Sequence, residues 1–261
     1  MTREYSMDRR AYLTTIGAGS TAALAGCSGL GGAGDDTIVP GTAPGFQPFE
    51  YKNDENELVG FDVELTEAVI ERTSYEKGDW VEIGFDQLET SLLNGDIDLI
   101  AAALSITEDR KENVDFSDPY YEVSQAVVVR ENGEFQPEEL SDFEAGRRVG
   151  AQGGTTGEDL VESELIEPGV IDEEDYRSYD NYNLAVEDLV NGNIAAVMVD
   201  EPTANSFADE RPVAVTFTVG TGENYGLAMR PDDDRLSDIN EGLASVRENG
   251  TYEELRAKYI G

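Results

Sequence analysis

The sequence predicts an α/β protein of two doubly wound lobes with a ligand cleft between them. Three observations predict it. Short β-branched strands alternate with helices at apolar spacing, which implies mostly parallel sheets covered on both faces. A helix, Asn-Gly, strand segment recurs along the chain. Apolar residues make up 39% of the 261 residues, enough for a core despite 18 Lys and Arg against 56 Asp and Glu.

The elements follow in order. Residues 1–26 carry Arg9-Arg10, an uncharged run from Ala11, and Leu24-Ala25-Gly26-Cys27, the pattern of a signal peptide. The run is too short and too rich in small residues to span a bilayer, which takes ~20 apolar residues. The arginine pair resembles a twin-arginine export signal, and the small residues before Cys27 resemble a lipobox, so Cys27 is expected to carry a lipid anchor. Residues 27–35 are Gly-rich and read as a flexible tether. Thr37-Ile38-Val39 is a strand, and Phe61, Leu65, Ala68 and Val69 set a helix within 60–72. Phe85 to Leu93 is helical and stops at Asn94-Gly95, before the strand Ile97 to Ala101. Leu184 to Val190 is again helical and stops at Asn191-Gly192, before the strand Ile194 to Val199. Leu92–Ile100 and Leu189–Val197 align without a gap at an offset of 97 residues, which reads as an internal structural echo.

Composition excludes several functions. The chain has no His and one Cys, so it can build neither a Cys/His zinc site, nor an imidazole-dependent triad, nor an internal disulfide. A formal charge of −38 repels phosphates, so nucleic acid is excluded as a partner. Acidic residues lie along the whole chain instead of in a tail, which suggests adaptation to very high salt and a halophilic source. No metal or cofactor is expected.

In doubly wound sheets ligands bind beyond the carboxyl ends of the strands. After the first repeated strand come Ala103, Ser105 and Arg110, and after the second comes Asp200. Arg110 suits a carboxylate, through two parallel N–H bonds that Lys cannot reproduce. Asp200 and the Ser105 hydroxyl suit an ammonium group. Gly153-Gly154-Thr155-Thr156 opens a helix with free backbone N–H groups, although Thr155 and Glu158 also read as a capping box that needs no ligand.

Five ordered motifs then carry a resemblance across the mature chain: Gly-Thr-Ala-Pro-Gly-Phe-Gln-Pro-Phe-Glu (41–50), Gly-Phe-Asp-Val-Glu-Leu (60–65), Leu-Ser-Ile-Thr-Glu-Asp-Arg-Lys (104–111), Asp-Phe-Ser-Asp-Pro-Tyr-Tyr (115–121) and Arg-Glu-Asn-Gly-Thr-Tyr-Glu-Glu-Leu (247–255). The chain resembles the family 3 solute-binding proteins of amino-acid ABC transporters, of the glutamine or polar amino acid-binding type, here as a haloarchaeal lipoprotein. The resemblance implies a periplasmic-binding-protein-like fold. Lobe 1 would comprise 36–122 plus 224–261, lobe 2 would comprise 125–220, and a two-strand hinge would join them. It implies Arg110 as the carboxylate clamp, assisted by the N–H groups of Ala103 and Thr156. Asp200 and Ser105 hold the ammonium, with the Ala103 region helping. Phe46 and Phe85 sandwich the ligand side chain, and Gln152 stands where a side-chain-reading residue is expected. Ala43 replaces an Asp of relatives that bind basic amino acids or glutamine, so a cationic side chain finds no obvious partner and a polar, non-basic ligand is expected. The implied partners are an amino acid and an ABC permease. The expected state is a monomer, lipid-anchored at the outer face of the cell membrane. A dehydratase on the same fold and a ligand-sensing receptor domain are the alternatives.

Overall fold

The structure is a computed structural model, and it describes residues 36–261. The expected signal peptide, Cys27 and the expected Gly-rich tether lie outside the described residues.

Two five-stranded sheets organise the chain. In the first, the order is Val81–Glu82, Pro40–Thr42, Leu99–Ile100, Ala228–Met229, Asp115–Phe116. In the second, it is Tyr176–Tyr179, Val149–Gln152, Ala196–Asp200, Tyr121–Arg130, Val213–Tyr225. Each sheet is mixed. The first three strands of each run parallel, and the remaining pairings are antiparallel. Mostly parallel sheets were expected from the alternation alone. The difference arises because Ala228–Met229 enters the first sheet antiparallel from the far end of the chain, and the long strands Tyr121–Arg130 and Val213–Tyr225 add antiparallel pairings to the second.

Both sheets are buried on both faces. Along Tyr121–Arg130, Ala126 and Val128 pack with the helix Tyr182–Asn191, while Val127 and Val129 pack with Val161 and Leu165 on the opposite side. The two-residue period of the strand produces this alternation. The first sheet is covered by the helices Phe61–Ile70 and Leu236–Glu248 on one face and Leu88–Asn94 on the other.

The echo is present in three dimensions. Leu88–Asn94 and Tyr182–Asn191 both end on a glycine in the left-handed region, Gly95 at φ 81° and Gly192 at φ 81°. Only glycine enters that region without a Cβ penalty. An arginine then ties each turn to its strand. Arg230 donates to the carbonyls of Leu92 and Ile97 at 3.2 and 2.7 Å, and Arg130 donates to those of Leu189 and Ile194 at 3.0 and 3.1 Å. These acceptors are the same two positions of the repeat.

Two strands join the lobes. Tyr121–Arg130 and Val213–Tyr225 pair antiparallel from Tyr121↔Tyr225 to Arg130↔Val213. Val123 and Tyr225 belong to the first core, and Ala126 and Val213 to the second. The ladder breaks between Val219 and Glu223, at the passage from one core to the other.

Candidate functional site

A cavity of about 210 Å³ lies between the lobes. Its wall includes Phe46, Phe85, Ala103, Ser105, Arg110, Gln152, Thr155, Thr156 and Asp200, all nine of the residues singled out in the sequence. They arrive from both lobes because the cavity lies at the carboxyl ends of the repeated strands.

Arg110 sits in the short helix Glu108–Lys111, capped by the Thr107 hydroxyl. Its guanidinium donates to the Ser105 carbonyl at 2.8 Å and, across the cleft, to the Gly154 carbonyl at 2.9 Å. It lies 5.7 Å from the centroid of the Phe85 ring. Burial pushes the guanidinium below its ordinary value, opposed by Asp159, Asp200, Glu223 and Glu89.

Asp200 ends the strand Ala196–Asp200 and opens the helix Glu201–Glu210. It is buried, and its two oxygens are held separately, one by the Gln125 amide and the other by the Tyr225 hydroxyl at 2.6 Å. Burial pushes its carboxyl up to about 7, and Glu223 adds to this, while the bonds from Tyr225 and Gln125 and the charge of Arg110 oppose it. Ser105 donates its hydroxyl to Glu223 at 3.0 Å, which leaves the oxygen lone pairs free to accept.

Thr155 caps the helix Thr156–Val161, and Glu158 returns to the Gly154 N–H at 2.7 Å. The Thr155 half of the capping box read in the sequence is therefore present, but Glu158 accepts from Gly154 instead of Thr155, and Thr156 faces the cavity. The Thr155 hydroxyl is also committed, donating to the Gln152 carbonyl at 2.7 Å beside the Tyr182 hydroxyl at 3.0 Å. Phe46 packs against Tyr182 at 5.5 Å between centroids.

One expectation needs correction. The Ala103 N–H does not face a ligand carboxylate, because it donates to the buried Asp62 at 2.7 Å. Ala103 has φ 46°, an unusual left-handed backbone for a residue with a Cβ. Its remaining backbone group is an acceptor, which suits an ammonium. Asp62 also accepts from the Tyr120 hydroxyl, and burial pushes it up to about 6 against those two bonds.

A cationic side chain was expected to find no obvious partner; Glu50 lines the cavity, is 1% exposed, and has one carboxylate oxygen with no hydrogen-bond partner. Burial raises its carboxyl well above the ordinary range, helped by the charges of Asp62 and Asp200. Glu50, Asp180 and Tyr182 are wall residues that the sequence did not single out. Among the described residues no group of three or more His, Cys, Asp or Glu is placed to hold a metal ion. No described helix is long and apolar enough to cross a membrane.

Comparison with known proteins identifies the family. The profile of the bacterial extracellular solute-binding proteins, family 3, matches residues 38–261. The histidine-binding periplasmic protein of Escherichia coli K12 is 35% identical over 232 residues, covering 84% of this chain and 86% of that one. The ABC transporter arginine-binding protein 1 of the same organism is 31% identical over 246 residues, covering 92% and 97%. The structure of an ancestral arginine-binding protein bound to arginine superposes with a TM-score of 0.80 at 33% identity, covering 87% and 99%. These similar proteins are binding proteins, not enzymes. The chain has their periplasmic-binding-protein-like fold of two α/β lobes and belongs to the family 3 extracellular solute-binding proteins.

Proposed function

We propose that the protein captures a basic amino acid outside the membrane and delivers it to an ABC permease. Arg110 clamps the α-carboxylate with the Thr156 N–H, Asp200 and Ser105 hold the α-ammonium, and Glu50 pairs with the side-chain cation. Phe46 and Phe85 enclose the aliphatic part, and Gln152 adds a polar contact to the side chain. The observation that carries the basic specificity is the buried Glu50 carboxylate in the cavity wall, one of whose oxygens is buried with no hydrogen-bond partner. A buried carboxyl without a cation is costly, and a ligand cation restores its ionised form.

Charge bookkeeping of the wall agrees. Arg110 is the one basic residue of the wall, against the carboxyls of Glu50, Asp180 and Asp200, so acidic groups outnumber basic ones and the wall favours a ligand with a net positive charge. The names of the similar histidine- and arginine-binding proteins support the same class. The polar, non-basic ligand expected from Ala43 gives way because the carboxylate partner stands at position 50 instead.

Capture proceeds by closure of lobe 1 (36–122 plus 224–261) onto lobe 2 (125–220), since the two charged ends of the ligand meet both lobes only when the cleft is shut. Gly220-Thr221-Gly222, at the break in the ladder, is the segment that absorbs the change. Export by the N-terminal signal and a lipid on Cys27 place the binding protein beside the permease. The test is competition: labelled L-arginine should be displaced by L-lysine or L-histidine at concentrations at which L-glutamine and L-glutamate have no effect. Displacement by glutamine in preference to the basic amino acids would overturn the specificity.

A further inference from the structure

We propose that Tyr225 is a positioning residue for amino-acid capture: its hydroxyl, presented by a strand that joins the lobes, fixes the aim of the Asp200 carboxylate and links ammonium binding to lobe closure. The proposal rests on the reading of Asp200 as the ammonium ligand.

The ring of Tyr225 is fully buried in the first core. It packs edge-to-face on Phe49 at 5.1 Å and lies 5.8 Å from Tyr121, which faces it in the ladder. Its backbone bridges to Ser105, the other ammonium-site residue. The ring therefore has no freedom to swing, and its hydroxyl stays where the first lobe places it. Asp200, in contrast, ends a strand whose Val197 and Val199 pack in the core of the second lobe. The 2.6 Å bond between them therefore spans the two lobes beside the joining strands.

The second joining strand does the same for the other oxygen. The Gln125 amide donates to Asp200 and to the Thr156 hydroxyl at 3.1 Å, so one amide aligns the ammonium site with the start of the Thr156–Val161 helix. Each carboxylate oxygen thus has one lone pair engaged by a joining strand and another left for the cavity. A carboxylate held this way offers an ammonium a fixed acceptor, with little rotamer entropy left to lose on binding.

The hydroxyl also acts on charge. Burial raises Tyr225 well above its ordinary value, so it remains a donor throughout the working range. Donation to the ionised form opposes the upward push that burial exerts on Asp200. The other groups facing Asp200 are Glu223 on the Tyr225 strand, Arg110 from its short helix, Glu50 from the loop ahead of the Phe61–Ile70 helix, and Tyr182 from the start of its helix. Of these only Arg110 carries positive charge.

Tyr225→Phe removes the hydroxyl and keeps the ring. The probe is whichever of the twenty amino acids the wild-type protein binds tightest, titrated by calorimetry from pH 5.5 to 9 against wild type, Tyr225→Phe and Asp200→Asn. The variant is expected to bind about tenfold or more weakly at pH 7, the scale of one hydrogen bond to a charged group. The pH at which binding is half lost should move upward, so that the deficit narrows toward pH 9. A purely structural role would lower the melting temperature and leave that pH unmoved. Unchanged affinity and an unchanged pH profile in Tyr225→Phe, with Asp200→Asn disabled, would overturn the positioning role alone. Normal binding by Asp200→Asn, or no binding of any amino acid by the wild type, would overturn the ammonium reading and this proposal with it.

Discussion

Replacing Glu50 with glutamine tests the proposed specificity with almost no change of shape. The carboxylate is 1% exposed and one of its oxygens has no partner in the protein. A ligand cation at about 4 Å would gain about 4 kcal/mol at the effective dielectric constant of about 20 that suits protein sites. Part of that gain offsets desolvation, and truncating one side of a buried charge pair costs about 2–5 kcal/mol. A value near 3 kcal/mol corresponds to an increase of about 150-fold in the dissociation constant. For a neutral side chain such as that of glutamine, the change exchanges one polar partner for another and should stay under about tenfold. Without ligand the variant should be as stable as wild type or more so, because burial with Asp62 and Asp200 nearby makes the charged Glu50 unfavourable. Calorimetric titration with L-arginine, L-lysine, L-histidine and L-glutamine measures all of this at once. Glu50→Gln binding its basic ligand within about threefold of wild type would refute the pairing of Glu50 with a side-chain cation.

Other consequences follow from the same site. Arg110→Ala should weaken amino-acid binding by about 2–5 kcal/mol, since the carboxylate would be left poorly paired, and calorimetry reads it directly. Asn183 donates to the Gly45 carbonyl at 3.2 Å and accepts from Arg211 at 3.0 Å, a bond across the cleft, so Asn183→Ala should raise the ligand off-rate by about two- to tenfold in stopped-flow measurements. The buried carboxyls make stability depend on pH. Asp62 at about 6 and Asp200 at about 7 lie above the ordinary 3.8, so the folded state holds more protons than the unfolded one, and their contribution is full below pH about 4 and lost as pH rises through those values. Ligand binding needs Asp200 ionised, so affinity should rise across the window in which Asp200 gives up its stabilising proton. Denaturant unfolding of wild type and Asp200→Asn at pH 5 and pH 8 checks the first trend. Finally, a net charge of −38 should make the melting temperature rise steeply between 0.1 M and 3 M potassium chloride, and a flat response would count against salt adaptation.

The fold was legible because it repeats. The two Asn-Gly stops mark left-handed caps, and the apolar period places Leu88 and Leu92 in one core and Ala185 and Leu189 in another. The arginines that lock each stop to its strand were not legible, since Arg130 and Arg230 lie far along the chain from the carbonyls they hold. The site divides in the same way. Arg110, Ser105 and Asp200 stand just past repeated strands, where topology alone directs attention. Glu50 is one of 56 acidic residues, and only its burial distinguishes it from the solvated ones. The commitment of the Ala103 N–H to Asp62 depends on a contact between residues 41 positions apart, which no local pattern announces. Tyr225 was hidden for a similar reason: its role depends on the carboxylate it reaches, and nothing beside it in sequence marks that carboxylate.

In the proposed complex the cleft holds a basic amino acid by both backbone charges and by its side-chain cation. Thermal melting of residues 28–261 in molar salt, against each of the twenty amino acids, tests it most directly, because a ligand bound only by the native state raises the melting temperature by mass action, by about 2.7 kcal/mol of stability at one hundred times its dissociation constant. An upward shift confined to one or more of arginine, lysine and histidine is expected. A shift with glutamine or another uncharged amino acid, and none with the basic three, would contradict it.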